Sequence, residues 1–406
     1  MIVFYDDLQA RSFEPFATTR PLCEMRAGAL LIRERWEYLL ARSSTGFISA
    51  SHLDGFAEFD APPFVRETIP TKHWVVNSRA LPHLETDLGD AQVITVNGVV
   101  AAVCLSQPLA ADALYDGGSS LAALVTDRMR AVSVRGVWLS AIWDVVATLV
   151  PLLREDIPTL AARLGAPARL PDESTTVVVR GGSPVFVEAG AEIEPHTLFD
   201  TSAGPVLIRA RAVVQAFTRV VGPCFIGEDA IVSTDRIAAS SIGRNCRVHG
   251  EVSTSVFIGY ANKGHDGFLG HSILGRWVNL GAGTVTSNLK NSYGTVALWT
   301  PDGVRDTGQQ FLGTMFGDHV KTGIGVRLTT GCVLGAGANV FDAMPPKAVA
   351  PFAWGSGAPY DVFTADKFLA TAEKVMSRRM VSLTAAQRAW LLRVHAHTLP
   401  PSVWPR

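Results

Sequence analysis

Between residues 185 and 340, isolated aliphatic residues recur every six positions. Val187 and Ile193 form one such pair, Ile226 and Val232 a second, and Ile242 and Val248 a third. Leu274, Leu280 and Thr286 keep the same beat, and Phe316, Thr322, Leu328, Leu334 and Val340 hold it for five successive steps. A helix repeats at about 3.6 residues and a half-buried strand at about 2, so neither produces this pattern. A coil of flat strands does, because each turn returns the chain above itself and stacks like residues. Glycine follows directly after Ile226, Ile242, Leu274, Leu280 and Leu334, where a sharp corner needs a residue without a side chain. Three hexads close one triangular turn. The spacing therefore predicts a left-handed parallel β-helix of hexapeptide repeats over residues 180–345, an exception to right-handed crossover connections.

Residues 288–314 carry no beat and contain the turn-forming runs Asn291-Ser292-Tyr293-Gly294 and Pro301-Asp302-Gly303, which read as a long loop or arm leaving the coils. The repeats stop at Pro345-Pro346. Two amphipathic helices are expected after that, near residues 364–380 and 384–397, the second opened by Thr384-Ala385-Ala386-Gln387 in capping-box form. This helical extension, residues 346–406, is expected to cover the open end of the β-helix and its unpaired strand edge.

The first 175 residues read differently. Met1-Ile2-Val3-Phe4-Tyr5 is an opening strand, residues 22–41 have a helical apolar face, and short apolar runs at residues 74–76, 93–96 and 99–105 are strands. Residues 137–153 form another apolar helical stretch. Such alternation predicts an α/β, Rossmann-like domain over residues 1–175. A polar, proline-containing stretch at residues 166–174 separates it from the repeats. With 406 residues, 48% hydrophobic and 18% charged, the chain can bury two cores.

A net charge of −1 argues against broad attraction to nucleic acid or an anionic membrane. No apolar run approaches the roughly 18 residues of a membrane span. Asp6 and Asp7 near the start break any basic-then-apolar export signal, and Cys23, Cys104, Cys224, Cys246 and Cys332 lie too far apart for a metal motif. Buried thiols in a reducing cytoplasm are the expectation, with no metal site.

The densest polar cluster lies inside the repeats, at Tyr260-Ala261-Asn262-Lys263-Gly264-His265-Asp266-Gly267-Phe268-Leu269-Gly270-His271, followed by Asn279 and Asn288. His265 and His271 stand six residues apart, on successive faces of a coil, which disfavours a metal pair. Residues 265–288 resemble, without gaps, the acetyltransferase half of bifunctional N-acetylglucosamine-1-phosphate uridyltransferase/glucosamine-1-phosphate acetyltransferase. Thr19-Arg20-Pro21, Arg26-Ala27-Gly28, Ile32-Arg33-Glu34-Arg35-Trp36 and the run from Pro346 to Gly355 extend the resemblance across nearly the whole chain, to a sugar nucleotidyltransferase family related to that enzyme.

The resemblance implies roles. His265 falls where the family has its catalytic base, and a neutral imidazole can take the proton from a sugar amine as it attacks a thioester. Asn279 and Asn288 match asparagines that hold the acceptor sugar. Phe268 replaces a tyrosine that contacts the sugar phosphate, and Lys263 and Arg236 are the nearest candidates for its basic partners. Ala282 matches an alanine whose backbone amide faces the acyl thioester. Ile324 and Phe341 replace a serine near the acetyl group and an alanine near the coenzyme, which points to a different acyl group or acceptor, or to a pocket that binds a sugar without acylating it.

In the N-terminal half, an active nucleotidyltransferase of this class would show a glycine-rich loop after its first strand, yet no glycine precedes Gly28. Arg20 and Arg26 sit where basic residues are expected, with salt bridges to Glu24 or Glu34 as the structural alternative. The usual magnesium-binding aspartate is replaced by Arg79, which can hold a phosphate but not the cation. Either Asp6, Arg20, Arg26 and Arg79 bind a nucleotide in a modified way, or the domain is a degenerate scaffold.

The leading expectation is a transferase acting on a sugar phosphate or nucleotide sugar, with acyl transfer from acetyl-CoA or another acyl-CoA at the β-helix. The alternatives are a sugar-1-phosphate nucleotidyltransferase at the N-terminal domain, which would use magnesium and a nucleoside triphosphate, and a non-catalytic sugar-nucleotide-binding scaffold. The resemblance also implies a homotrimer.

Overall fold

The computed structural model describes residues 1–168 and 176–401; most of the expected interdomain stretch, residues 169–174, lies outside them. The chain divides into two compact units: residues 1–145 with 384–397, and residues 146–383 with 398–406.

The first unit is built on a six-stranded mixed sheet in the order Ser44–Ile48, Ile2–Tyr5, Trp74–Asn77, Val99–Cys104, Val93–Val96 and Ala131–Val134. Ile2–Tyr5 pairs in parallel with both neighbours and is buried along its whole length, as a central parallel strand must be. The helix expected over residues 22–41 is shorter, Ile32–Leu40. Gly28, at φ +65°, lets Arg26–Ala27 fold back on Leu30–Leu31, and the Glu34 carboxylate accepts the Leu31 N–H at 2.8 Å to start the helix after that turn. The helix expected over residues 137–153 is also displaced. Gly136–Trp138 is a strand paired with Ala80–Pro82, and the helix runs over Leu149–Leu164, in the second unit.

The tail corrects a second expectation. Helix Ala385–His397 belongs to the first unit, where Trp390 meets Phe56 edge-on at 5.0 Å and His397 stacks on His52 at 4.1 Å. Its start has the capping-box bonds read from the sequence, Thr384 N–H to Gln387 Oε1 and Gln387 N–H to Thr384 Oγ1. The preceding helix, Ala365–Ser377, lies along a flank of the coils with Met376 against Tyr260 and Trp277. The last coil is closed instead by the antiparallel pair Ala353–Gly355 and Asp361–Val362.

The second unit is the expected parallel β-helix, about ten turns long. One face is a nine-stranded parallel sheet whose inward column runs Val187, Ile208, Ile226, Ile242, Phe257, Leu274, Phe316, Leu334, Val349 in register. No member is more than 2% exposed. The hexad run Ile208, Val214, Val220, Ile226, Val232 is as regular as the one after Phe316, and all five residues are fully buried. Adjacent coils approach so closely that a Cβ on Gly243 would lie 2.3 Å from the Ile258 carbonyl oxygen.

A buried hydroxyl column reinforces one corner. Ser240, Ser255 and Ser272 each donate to a carbonyl of their own coil, at Ala238, Ser253 and Gly270, and accept the N–H of Ser255, Ser272 and Thr314 in the next. The arm over residues 288–314 is a hairpin of Ala297–Thr300 and Gly303–Asp306. Its inner side is packed down, with Val296 and Leu298 fully buried, while the outer strand Gly303–Asp306 is exposed.

Removing a stacked side chain leaves a cavity that neighbouring coils cannot fill. Leu274→Ala is expected to lower stability by about 2–5 kcal/mol, read as a drop in the denaturant midpoint of the β-helix transition.

Candidate active site on the β-helix

His265 is exposed at the corner between strands Asn262–Lys263 and Leu269–Gly270. Below that corner, Lys263 occupies an inward position, in register with Val248, and is only 2% exposed. Its Nζ donates to the carbonyls of His249, at 2.9 Å, and of His265. Burial pushes its pKa down to about 8. Lys263 thus ties down the backbone that carries His265.

Three residues beyond His265, Phe268 and Asn288 converge over Gly270, where a Cβ would lie 2.5 Å from Phe268 Cζ and 2.7 Å from Asn288 Nδ2. Both line a groove with Thr286, Arg327, Thr329 and Met344. Asn288 Nδ2 donates to His271 Nδ1 at 2.8 Å, and His271 stacks near Phe311 at 5.4 Å. Burial pushes the His271 pKa down to about 4, so the ring is neutral at pH 7 and accepts at Nδ1. That bond turns the amide end of Asn288 to the ring and its Oδ1 away from it.

Two of these residues escaped sequence reasoning. Arg327 supplies the groove with a guanidinium that no motif marked; the available signal was its position, one residue before the buried beat Leu328, which makes it outward-facing. His271 was visible in the polar cluster, but its bond to Asn288 spans 17 residues and depends on the coil's closure.

Asn279 lies on the adjacent face. Its Oδ1 accepts from Asn262 Nδ2 at 2.7 Å, and its backbone bridges Asn262 and Lys321 in the coils on either side. The structure thus unites Phe268 and Asn288 in one groove and sets Asn279 in a different recess of the same chain. Ala282 stands at the corner after Asn279, its carbonyl accepting the Gly325 N–H at 2.8 Å. Beside Gly325, Ile324 is 84% exposed, and Phe341, one coil further, is 42% exposed. Together they give this corner an apolar surface. Arg236 pairs with Glu251 at 3.5 Å on the face of Asp235–Ala238.

In the first unit, the four residues considered for nucleotide binding are engaged in the fold. Asp6 is buried and accepts the Leu22 N–H at 3.0 Å; burial raises its pKa against the hydrogen bonds that oppose it. Arg20, 1% exposed, is paired with Glu58 at 3.0 Å and reaches the Glu24 carbonyl. Arg26 donates to the Ala29 carbonyl at 2.5 Å within its tight turn.

Arg79 holds Asp7 with Nε and Nη2, at 2.9 and 2.7 Å, donates to the Leu139 carbonyl, and lies 5.2 Å from the Trp138 ring centre. Asn77 adds a further donor to Asp7. Burial raises the Asp7 pKa, but Arg79, Asn77 and the Ala10 N–H outweigh it and the net shift is downward. Both carboxylates of the Asp6-Asp7 pair are therefore engaged by protein donors and present no ligand set to magnesium. Among the described residues, no group of three or more His, Cys, Asp or Glu side chains could hold a metal ion, and no helix is long and apolar enough to cross a membrane.

Comparison with known proteins matches residues 2–164 to the family described as sugar nucleotidyl transferase. A 91-residue stretch, 22% of this chain, is 33% identical to a bifunctional sugar-1-phosphate nucleotidylyltransferase/acetyltransferase from Sulfurisphaera tokodaii. The match spans 23% of that relative's length. Residues 2–164 are thus similar to the sugar nucleotidyl transferase family, and a 91-residue stretch is similar to a bifunctional nucleotidylyltransferase/acetyltransferase.

Proposed function

We propose that this chain is a transferase acting on a sugar phosphate or nucleotide sugar, and that its β-helix transfers an acyl group to the amine of an amino sugar. The observation that carries this reading is the groove lined by Phe268, Asn288 and Arg327; the exposed His265, three residues before Phe268 in the chain, is not among its lining residues. A phenyl ring packs against a sugar face, a carboxamide oxygen accepts a hydroxyl, and a guanidinium pairs with a phosphate. His265 takes the proton that the amine loses as its nitrogen bonds to the acyl carbon of the thioester; the C–S bond then breaks and coenzyme A leaves as the thiolate, which takes up a proton to become the free thiol. His271 acts through Asn288, as a positioning residue that fixes the direction of the carboxamide.

Coenzyme A supplies the acyl group as a thioester. The corner formed by Ala282, Ile324 and Phe341 fits its apolar arm, and the Ala282 amide is the candidate donor to the thioester oxygen. Exposure of His265, Ile324 and Phe341 favours a site completed by a second copy of the chain, in keeping with a homotrimer. The same substrates fit a cytoplasmic enzyme.

A second reading, nucleotidyl transfer at residues 2–164, is favoured by the family match. Against it stand the Arg79–Asp7 pair and the buried Arg20–Glu58 pair, which occupy the groups that would bind the triphosphate.

Coenzyme A release from acetyl-coenzyme A, measured with a panel of amino-sugar phosphates, is expected to reveal an acceptor. His265→Ala should then reduce kcat by about 10²–10⁴-fold with unchanged thermal unfolding. Arg327→Gln should raise KM for the phosphorylated acceptor and leave kcat within a few-fold. A full-rate His265→Ala enzyme would end the assignment. Pyrophosphate release from a panel of nucleoside triphosphates and sugar 1-phosphates is expected to stay at background; sustained release would establish the second reading.

A further inference from the structure

The flank of the β-helix under helix Ala365–Ser377 contains a recess of about 310 Å³ that shares no lining residue with the Phe268 groove. Asn262, Asn279 and Lys321 form its floor in consecutive coils. Tyr260 and Trp277, with ring centres 4.6 Å apart, form one wall, and Arg378 and Arg379, just past the helix, close the other side.

The groups facing this space are almost all hydrogen-bond donors. Asn279 Oδ1 is taken by Asn262 Nδ2, and Asn262 Oδ1 by Arg379 Nη2 at 3.5 Å. The carboxamide of Asn279 therefore has its Nδ2 donors left. Lys321 Nζ spends two protons on the carbonyls of Trp277 and His319, at 3.0 and 2.9 Å, and an ammonium has three.

The charge is equally one-sided. Among the described residues, Arg378, Arg379 and Lys321 form no ion pair with a carboxylate. The pKa of Arg379 is lowered by burial first, then by the positive charges of Arg247 and Arg378. Asp229, the carboxylate on that side, is bound by Arg211 and also faces Arg244 and Arg247. Burial pushes Lys321 down to about 7. Arg378 is exposed, but Arg379 and Lys321 are half-buried with no carboxylate beside them, and that disfavours their charged forms. An anion with several acceptor oxygens would reverse that effect.

We infer that this recess is a binding site for a diphosphate-bearing small molecule, held by Arg378, Arg379, Lys321 and the amide of Asn279. Two guanidiniums and an ammonium match a group with two phosphates, and the volume admits a diphosphate with part of its attached moiety.

The test is calorimetric titration of the full chain at low salt with inorganic pyrophosphate, uridine diphosphate and coenzyme A. At least one is expected to bind, with affinity falling as salt is raised. The double variant Arg378→Gln/Arg379→Gln should weaken that binding at least about tenfold. Arg66→Gln, an exposed arginine paired with Asp54 in the other unit, should not change it. Equal affinity for all three probes assigns recognition to the diphosphate alone; tighter binding of one assigns the moiety it carries. Unchanged binding in a double variant that melts at the wild-type temperature overturns the proposal, as does no binding of any probe. Acyl-transfer activity is scored separately with the Phe268 groove intact, so loss of one result leaves the other standing.

Discussion

Each coil of the β-helix is stable only because another lies against it. A single triangular turn buries almost nothing, since its inward side chains point at a narrow axis that the next turn must cover. Stacking Ile226 on Ile242 on Phe257 closes that axis and aligns backbone donors and acceptors between coils. The site inherits its geometry from this stacking. Asn288 reaches His271, and Phe268 reaches Asn288, because residues 16 to 20 apart in the chain stand one above another in space. The buried Lys263 exploits the same constraint: placed in an aliphatic column, its ammonium must find carbonyls, and those it finds anchor the corner of His265.

The N-terminal unit shows the reverse relation between fold and chemistry. Its mixed sheet brings Asp6 and Asp7 to the end of the opening parallel strand, where ligands bind in open α/β sheets. In this chain an arginine occupies the neighbouring strand end and grips Asp7 with a fork of two nitrogens. A carboxylate so held contributes to stability instead of meeting a cation. The buried ion pairs of Arg20 and Arg33 extend the same character through the loop that follows. Family resemblance and local chemistry therefore diverge within residues 2–164.

Much of this architecture is legible in the sequence because hexad spacing reports coil closure directly. The run from Phe316 to Val340 is sufficient for that. The equally regular run from Ile208 to Val232 adds five more strands to the same reading. What the spacing does not show is which outward residues share a face. Asn279 and Asn288 are nine residues apart, one and a half hexads, and so fall on adjacent faces. Arg327 enters the groove from the following coil, 59 residues after Phe268, beyond an inserted hairpin of unpredictable length. Helix ends misled for a local reason. The apolar stretches at residues 22–41 and 137–153 have helical content, but Gly28 and the pairing of Gly136–Trp138 with Ala80–Pro82 convert their first portions into strands. The serine column at Ser240, Ser255 and Ser272 left no trace either, since hydroxyls in a glycine-rich sequence look like ordinary loop residues.

The return of helix Ala385–His397 to the first unit makes the β-helix, in chain order, an insertion within the sheet domain rather than an appendage after it. The chain between Val145 and Thr384 is a closed loop whose ordering entropy is shared with the packing of Trp390 on Phe56. No single cut can release either unit intact: severing the chain after the sheet strips it of a helix, and trimming the tail uncovers the aromatic surface that the helix shields.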